Sequence, residues 1–418
     1  MLWPRFLVLA ALLLVAACGF EPLYGARDNA GASSGRLAVD VAPVAEREGQ
    51  VLRAALSRSF DRVRSRWLVG DTIAPREAIM KAVRINDGVL SIDDVDVPEP
   101  GNDQARVRIT SAGVCHSDLH IARGEWHGVQ IPTCGHEAIG IVEALGPGAD
   151  RFTSVGERVI LGLGGTGGGY WCGACIHCLG GEPRLCAQGA GIMGTFAEQF
   201  CVYAKSLVAL PDSVGDEEAP LACGGLTAYG AIKKLFKHQI NPGSTIGIIG
   251  AAGGLGHYAV QLAKAFGYEI VAVDLGEERL AFAKGLGADR VMEPAEAETL
   301  RSDGGVDAVL IFSAVKAGFD LGMRMLRRGG LFVAVGIPPT SEGNIEINPF
   351  MFFHTGITMI YSAVGTVQDM RELVDLAAEG KVKSHIGRVG PLSELPQIFD
   401  ELEAGQYVGR AVITPLDQ

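Results

Sequence analysis

The sequence predicts an α/β protein in which a strand-rich part precedes a doubly wound parallel sheet. Short alternating segments separated by glycine and proline, such as 105–110 and 140–145, indicate strands in the first part. From about residue 225, apolar β-branched segments at 244–250 and 269–274 flank a helix-periodic segment at 255–266. This strand–helix–strand order is typical of a parallel sheet covered by helices.

The composition excludes several classes of protein. The chain has 418 residues, of which 48% are hydrophobic and 20% are charged. It is long enough for two domains, and it is too apolar to be a disordered protein. Nine cysteines in this length exclude a small disulfide-stabilised scaffold. The net charge of −12 argues against a nucleic-acid-binding protein, which needs an excess of Lys and Arg on one face.

Residues 1–79 differ in charge from the rest of the chain. They contain ten Arg and eight Asp or Glu, which leaves 26 basic and 40 acidic residues for 80–418. The twelve-residue apolar run 6–17 follows Arg5, and it is too short for a bilayer of ~30 Å, which needs about 20 residues. The run fits the apolar region of a signal peptide, and the alternative is a hydrophobic tail without a targeting role.

The end of that apolar run, Val-Ala-Ala-Cys18, resembles a bacterial lipobox, in which the cysteine carries a lipid. Residues 1–60 resemble the N-terminus of the lipopolysaccharide-assembly lipoproteins of the outer membrane. The resemblance stops before a complete domain, and every motif with recognisable chemistry lies after Met80. We therefore expect 1–79 to be a lipoprotein-like leader fragment that was fused or mis-joined, with Met80 as the natural start.

A glycine-rich turn, 250–256, lies between a predicted strand and a predicted helix. Glycine lets the backbone approach a pyrophosphate at the helix start. Asp274 ends the next strand 18 residues after Gly256, where a carboxylate binds a ribose 2′-hydroxyl and repels a 2′-phosphate. The pattern predicts NAD rather than NADP, and the alternatives are a merely tight turn and a solvated acid at a strand end. The candidate cofactor residues in the turn are Gly253, Gly254, Leu255 and Gly256.

Four cysteines lie within fifteen residues and predict a closed metal site; they are Cys172, Cys175, Cys178 and Cys186. Two-residue spacers let consecutive thiolates converge on one ion, and a Cys₄ shell without an open position is a structural zinc site. An iron–sulfur cluster is the alternative, but the bacterial cluster motif has its fourth cysteine three residues on, followed by proline. Disulfides are disfavoured if this part of the chain is cytosolic.

Cys115, His136 and Cys223 form a second candidate set. Two thiolates and one imidazole leave the fourth position of a zinc ion open to water or substrate. Zinc in such a site acts as a Lewis acid. Taken singly, each of these residues is by default a buried thiol or a core histidine. We expect Cys134 and Cys201 to be only buried thiols.

The motifs GVCHSDLH, GHEAIG, CxxCxxCx₇C, PLACGGLTAYG and GAAGGLG occur in this order. Together they resemble the zinc-containing medium-chain alcohol dehydrogenases, a family with a Cys₂His catalytic zinc, over residues 80–418. The resemblance implies a GroES-like β-barrel catalytic domain formed by 80–224 and 363–418. It also implies a Rossmann coenzyme domain, with a doubly wound parallel sheet, at 225–362.

The resemblance also implies roles for single residues around the catalytic zinc. Glu137 matches the acid beside the metal, and Asp118 matches the carboxylate that orients the ligating imidazole. Ser117 and His120 match the proton relay, in which a hydroxyl and an imidazole pass the alcohol proton to solvent. The alternative for Ser117 and Asp118 is that they only cap the turn in which they lie.

On the cofactor side, the resemblance assigns His116 and Arg410 to the pyrophosphate and Thr227 to the nicotinamide. Trp126 matches an aromatic residue that lines the substrate pocket. The glycine-rich segment 164–169 replaces a stretch that supplies a bulky pocket side chain in many relatives. We therefore expect a pocket that accepts longer, secondary or aromatic alcohols.

The resemblance implies a zinc-dependent oxidoreductase that transfers a hydride from an alcohol to NAD, with two Zn²⁺ ions per chain. A polyol or other secondary-alcohol dehydrogenase is one alternative, and an envelope lipoprotein is another. Family members are dimers or tetramers, so we expect a homo-oligomer. For residues 80–418 we expect a cytoplasmic enzyme with no nucleic-acid or membrane partner, or a lipid-anchored one if the N-terminal signal is genuine.

Overall fold

The computed structural model describes residues 79–86, 88–126, 128–162 and 169–414. The predictions for the leader, residues 1–79, lie outside this part except for Ile79. The same holds for the glycine-rich segment 164–169, of which only Gly169 is described.

The first half of the described chain is built from antiparallel strands. A hairpin of β1 (Ile79–Asn86) and β2 (Val89–Asp96) precedes a larger sheet. The strands of that sheet that come first in the chain are β3 (Gln104–Val114), β4 (Ala138–Leu145), β5 (Arg158–Leu161), β6 (Gln199–Tyr203) and β7 (Val208–Ala209). Two strands from the end of the described chain, β14 (Ile386–Pro391) and β15 (Arg410–Thr414), join it.

The long strand β3 organises this sheet. The strand order is β14-β15-β3-β4-β5-β7, and β6 pairs with β3 as well. Strand β15 runs antiparallel to the last residues of β3, with Ala411 opposite Val114. The end of the chain therefore returns to the point where β3 leads into the first helix.

The second sheet is parallel, and its strands are β8 (Thr245–Ile249), β9 (Glu269–Val273), β10 (Arg290–Met292), β11 (Val306–Ile311), β12 (Leu326–Ala334) and β13 (Thr358–Tyr361). Their order is β10-β9-β8-β11-β12-β13, which in chain order within the sheet is 3-2-1-4-5-6. This is the doubly wound order, so the predicted fold class is confirmed. The order reverses between β8 and β11, where ligands of such sheets bind.

The helices in the described residues are α1 (His116–Ala122), α2 (Ile176–Leu179), α3 (Gly224–Lys237), α4 (Gly256–Ala265), α5 (Glu277–Gly285), α6 (Pro294–Ala297), α7 (Lys316–Met325), α8 (Pro349–Thr355), α9 (Val367–Ala378) and α10 (Leu395–Glu403). A 3-10 turn, Asp216–Ala222, leads into α3. Within the described residues, none of the helices combines the length and the apolar character needed to cross a bilayer.

The central parallel strands β8, β9 and β11 are mostly apolar because helices cover both faces of their sheet. Ile246 and Ile248 of β8 pack on one side with Tyr258 and Leu262 of α4. Ile249 belongs instead to the cluster on the opposite side of the sheet. Burying a side chain of this size contributes about 1.5–3 kcal/mol, so the packing fixes the strand ends that carry the site.

Candidate metal and cofactor sites

The first metal cluster lies where three separate segments meet. Cys115 directly follows β3, His136 lies two residues before β4, and Cys223 separates the 3-10 turn from α3. Their ligand atoms and a carboxylate oxygen of Glu137 all lie within 4.8 Å of one another, and all four residues are buried. The Cys223 thiol beside it holds the pKa of the Cys115 thiol well below its ordinary value. This donor set fits a zinc ion, which prefers thiolate and imidazole ligands in tetrahedral geometry.

Asp118 holds the histidine of this cluster in place. Its Oδ1 lies 2.9 Å from His136 Nδ1 and accepts the backbone N–H of Gly135 at 2.8 Å. Its Oδ2 accepts the backbone N–H of Cys115 at 3.1 Å. Because an ionised carboxylate only accepts, the imidazole proton lies on Nδ1, and Nε2 is left for a metal. One buried carboxylate thus orients two of the candidate ligands.

Glu137 is paired with Arg410, the first residue of β15. Both carboxylate oxygens contact Arg410 Nη2, at 2.6 and 2.5 Å, and both side chains are buried. Burial raises the pKa of Glu137 to about 7, and the guanidinium opposes this rise. A Cβ atom at Gly113 would lie 2.1 Å from Glu137 Oε2, so only glycine leaves room for this pair.

Arg410 also reaches the glycine-rich turn. Its Nη1 donates to the carbonyl oxygen of Gly254 at 3.4 Å. Its Nε is buried and has no hydrogen-bond partner in the described part of the chain. This unpaired Nε donor belongs to a buried cation beside a glycine-rich turn, and it fits the phosphate groups of a dinucleotide.

The turn itself requires glycine at two positions. Gly250 has a φ of 77°, in the left-handed region. A Cβ atom at Gly256 would lie 2.0 Å from the carbonyl oxygen of Gly250. Gly253, Gly254 and Leu255 line the cleft between these two residues, and α4 begins at Gly256.

Asp274 follows β9 and is tied to the same turn. Its Oδ2 accepts the backbone N–H of Ala252 at 2.8 Å, and its Oδ1 accepts that of Leu275 at 2.9 Å. Arg279 places Nη1 3.7 Å from Oδ1 and lines the cleft as well. Sequence reasoning did not identify Arg279, although a basic residue five positions after the acid was a visible signal.

One continuous cavity of about 1230 Å³ joins these groups. It is lined by Cys115, His136 and Cys223 at the metal cluster and by Gly250 and Asp274 at the turn. Small-ligand pockets are typically ~300–1,000 Å³, so this cavity is large enough for a dinucleotide together with a small substrate. The other predicted residues that line it are His116, Ser117, His120, Trp126, Thr227 and Arg410. Asp118, Glu137 and Gly256 do not line the cavity. Each contacts a residue that does, since Asp118 binds His136, Glu137 binds Arg410 and Gly256 packs against Gly250.

One buried polar group and one strained residue on the cavity wall were not identified from the sequence. Ser362 is 1% exposed, and its hydroxyl has no hydrogen-bond partner among the described residues. Val364 has a φ of 39°, which is rare for a β-branched residue and marks local backbone strain. An unpaired buried hydroxyl beside strained backbone fits a polar group of a bound cofactor.

The two predicted relay residues, Ser117 and His120, lie on α1. His120 lines the cavity, and its Nδ1 contacts Glu125 Oε2. The indole of Trp126 packs against the same imidazole, with ring centroids 5.1 Å apart and the ring planes tilted by 35°. Burial lowers the pKa of His116, the next ring on this helix face.

The second metal cluster lies in the loop around α2. The Cys178 sulfur is 3.5 Å from that of Cys175 and 3.9 Å from that of Cys172, and the Cys186 sulfur completes the group. Sulfurs sharing one tetrahedral zinc ion stand roughly 3.8 Å apart, so the spacing fits zinc. Backbone N–H groups of Ala174 and Cys175 lower the pKa of the Cys172 thiol to about 6.

The two remaining described cysteines belong to neither cluster. Cys134 is fully buried, as predicted. Cys201 is only half-buried. It lies on β6, which pairs with the beginning of β3, and its sulfur faces the carbonyl oxygen of Pro98 at 3.5 Å.

Comparison with known proteins gives consistent matches over the described part of the chain. Residues 101–212 match the alcohol dehydrogenase GroES-like domain family, and residues 254–379 match the zinc-binding dehydrogenase family. An alcohol dehydrogenase of Geobacillus stearothermophilus is 40% identical over 339 residues, which is 78% of this chain and 96% of that protein.

Solved structures give similar matches. The alcohol dehydrogenase of Aeropyrum pernix superposes with a TM-score of 0.72 and 34% identity, covering 80% of this chain and all of that one. An acetophenone reductase of Geotrichum candidum, solved in complex with NAD, gives a TM-score of 0.70 and 31% identity. That match covers 80% of this chain and 97% of the reductase.

Proposed function

Because the chain belongs to the zinc-binding alcohol dehydrogenase family, we propose that it oxidises an alcohol to an aldehyde or ketone and reduces NAD. The observation that carries this proposal is the single cavity, which is lined by both the Cys115–His136–Cys223 cluster and the glycine-rich turn. When bound, zinc supplies a Lewis acid for the alcohol oxygen, and NAD accepts the hydride.

The chain's own residues position these groups. Cys115, His136 and Cys223 hold the catalytic zinc, and Asp118 keeps Nε2 of the imidazole directed to it. Glu137 places a carboxylate oxygen beside these three ligands, and Arg410 balances its charge.

The cofactor groups bind along the rest of the cavity. The N-terminus of α4 and Arg410 take the pyrophosphate, with His116 beside them, and Thr227 faces the nicotinamide. Asp274 and Arg279 take the adenosine ribose, where the carboxylate favours NAD over NADP.

The alcohol proton leaves through Ser117 and His120. A hydroxyl accepts one proton while it donates another, so Ser117 passes the proton on without a change in its own charge. The imidazole of His120 accepts it and releases it to solvent. Both side chains line the cavity on the same helix, α1.

The Cys₄ group holds a second, structural zinc ion. Its four thiolates leave no position for substrate, and the loop that carries them has little apolar core of its own, since three of the four cysteines are only half-buried. Metal binding therefore supplies the folding energy that this loop lacks.

The cavity lining favours alcohols with apolar substituents over polyols. Trp126, Val129, Ile131 and Met193 line it with apolar surface. A polyol carries several hydroxyls, each of which costs free energy when it is buried without a partner. This is tested by measuring the rate of NADH formation by the full chain with short, long, secondary and aromatic alcohols and with polyols. Fastest turnover with longer or aromatic alcohols supports the proposal, and fastest turnover with polyols favours the alternative.

The domain division that we propose follows the two sheets. The catalytic domain comprises 80–224 and 363–418, which contain the strands of the mixed sheet around β3, and the coenzyme domain comprises 225–362. Hydrogen exchange of the full chain with and without NAD tests it, since each proposed domain should exchange as a unit and 225–362 should gain protection when NAD binds.

We also propose a homodimer or homotetramer. Strand β13 is the last strand of the parallel sheet, and Phe350 and Phe353 of the adjacent helix α8 are 72% and 86% exposed. An edge strand beside exposed aromatic residues suits pairing with a second copy. Light scattering after size exclusion tests this, and a mass near 44 kDa would contradict it.

For residues 80–418 we propose a cytoplasmic location. Each cysteine in the described part of the chain is a free thiol, as thiolate metal sites require, and the cytosol keeps thiols reduced. The alternative is a lipid anchor at Cys18. Palmitate labelling with membrane fractionation separates the two, because a labelled, membrane-bound chain would support the anchor.

A further inference from the structure

The turn after α1 brings a carboxylate onto the outer nitrogen of the relay histidine. Gly124 has a φ of 66°, which lets the chain reverse directly after the helix. The backbone N–H of Glu125 then donates to the carbonyl oxygen of His120 at 2.9 Å. The side chain of Glu125 folds back as well, and its Oε2 contacts His120 Nδ1. Backbone and side chain thus hold the same pair of residues together.

Glu125 and His120 differ in their access to the cavity. His120 lines the cavity wall, whereas Glu125 does not. The side chain of His120 is 10% exposed and that of Glu125 is 32% exposed, so the carboxylate lies on the solvent side of the ring. Glu125 therefore acts on the reaction only through the imidazole.

The charged and titratable groups around His120 are few. His116 lies on the same helix, with its ring centroid 6.2 Å away, and Trp126 packs on the imidazole face. Arg123 belongs to the same turn but is paired with Asp400 and Glu403. Within the described residues, Glu125 is the acidic group in contact with His120.

We propose that Glu125 is a positioning residue, which fixes the proton of His120 on Nδ1 and leaves Nε2 as the acceptor of the alcohol proton. An ionised carboxylate can only accept, so its contact with Nδ1 selects that tautomer. The adjacent negative charge also stabilises the imidazolium formed when Nε2 takes up the proton. Asp118 stands in the same relation to His136 Nδ1 at the metal cluster. The inference rests on the proposed function, because it assigns the pair to the proton relay.

The test compares Glu125→Gln with Glu125→Asp in the zinc-loaded full chain. The amide keeps the size of the side chain but removes the charge, so kcat/KM for alcohol oxidation at pH 7 should fall about tenfold, less than the roughly 10²–10⁴-fold that a general acid or base itself contributes. The acidic limb of the pH–rate profile should move to lower pH. Glu125→Asp should recover part of the rate, and NADH affinity and zinc content should not change.

The matched control is Glu403→Gln, which removes a carboxylate that pairs with Arg123 and does not contact His120. It should leave the rate and the pH profile unchanged. In a His120→Gln background, Glu125→Gln should cause no further loss, because the carboxylate then has no imidazole to act on. Full additivity of the two losses, or a wild-type rate and pH profile in Glu125→Gln, would overturn the inference.

Failure of the proposed function would look different. ¹⁵N spectra of the histidine side chains report the tautomer of His120 without turnover, and Glu125→Gln should weaken the preference for the Nδ1-protonated form, because a neutral amide oxygen accepts this hydrogen bond less strongly than a carboxylate does. If wild-type protein shows that preference but oxidises no alcohol, the proposed function fails and only the pairing stands. If the preference is absent in wild-type protein, the positioning role of Glu125 is wrong whatever the turnover.

Discussion

Arg410 binds both carboxylate oxygens of Glu137 through a single nitrogen, Nη2, although 273 residues separate them in the chain. The same guanidinium reaches the carbonyl oxygen of Gly254 in the glycine-rich turn. The acid beside the proposed catalytic metal cluster and the proposed cofactor-binding turn are therefore linked by one side chain. Binding of the cofactor's phosphates at Arg410 and the charge of Glu137 should consequently depend on each other.

The first prediction concerns this pair. Arg410→Met should lower the free energy of unfolding by about 3 kcal/mol, because it leaves a buried carboxylate without its cation. The double variant Arg410→Met/Glu137→Gln should be more stable than the single variant, since no unpaired charge remains. Urea denaturation of both proteins at pH 8 measures the difference. Equal stability of the single and double variants would show that the pairing is not needed.

The second prediction concerns cofactor choice. Asp274→Ser should raise the ratio of kcat/KM for NADP to that for NAD by about tenfold or more, because the carboxylate no longer repels the 2′-phosphate. Arg279 lies 3.7 Å from Asp274 and becomes free to pair with that phosphate. Steady-state kinetics with both cofactors give the ratio. Adding Arg279→Ala should cancel most of the gain, and a gain that persists in the double variant would exclude this role for Arg279.

The third prediction concerns pH and His257, a buried residue of α4. Its Nδ1 donates to the carbonyl oxygen of Gly253 at 3.1 Å, and its Nε2 accepts the backbone N–H of His385 at 3.3 Å. Burial lowers the pKa of His257 to about 3, against about 6.5 in the unfolded chain. Between these two values the unfolded chain binds one more proton at this site, so stability falls as the pH falls.

This contribution should amount to about 1.4 kcal/mol per pH unit between pH 6 and pH 4. His257→Gln should be less stable than wild type at pH 8, because it loses hydrogen bonds, but its stability should decline less steeply with acid. Denaturant titrations of both proteins at several pH values give the two slopes. Parallel slopes would mean that His257 is not held neutral in the folded protein.

The fourth prediction concerns the Cys₄ group. Cys175→Ala should reduce the zinc content from two ions to one per chain and lower the melting temperature, because the loop around α2 loses its metal. Atomic emission on purified protein counts the zinc. Cys201→Ala is the matched control, since Cys201 lies outside both clusters and should keep both ions. Two zinc ions in Cys175→Ala would contradict the assignment of this site.

The doubly wound sheet could be predicted from the sequence because the patterns that indicate it are local. Apolar strands, a helix-periodic segment and a glycine-rich turn follow one another directly in the chain, and the observed order of strands agrees with them. The Cys₄ set was also recognisable from residue type and spacing, whereas Cys115, His136 and Cys223 lie far apart in the chain and were assigned roles through the family resemblance. Their sulfur and nitrogen atoms converge in the structure, while their roles remain predictions.

Contacts that depend on sheet register could not be predicted in this way. Arg410 meets Glu137 because β15 pairs antiparallel with the end of β3, beside Cys115. Asp274 binds the backbone of Ala252, so it fixes the turn as well as facing the cofactor site, which spacing alone did not indicate. The contact between Glu125 and His120 is local, but it depends on the reversal at Gly124, for which the sequence shows only a single glycine.

We propose that a hydride passes within this cavity from the carbinol carbon of an alcohol to NAD. The most direct test supplies the zinc-loaded full chain with NAD and an apolar alcohol that carries deuterium on its carbinol carbon. The product NADH is then analysed by mass spectrometry. We expect NADH that carries one deuterium atom, and Cys223→Ala should form no such NADH. NADH without deuterium, or no NADH from a chain that holds two zinc ions, would contradict it.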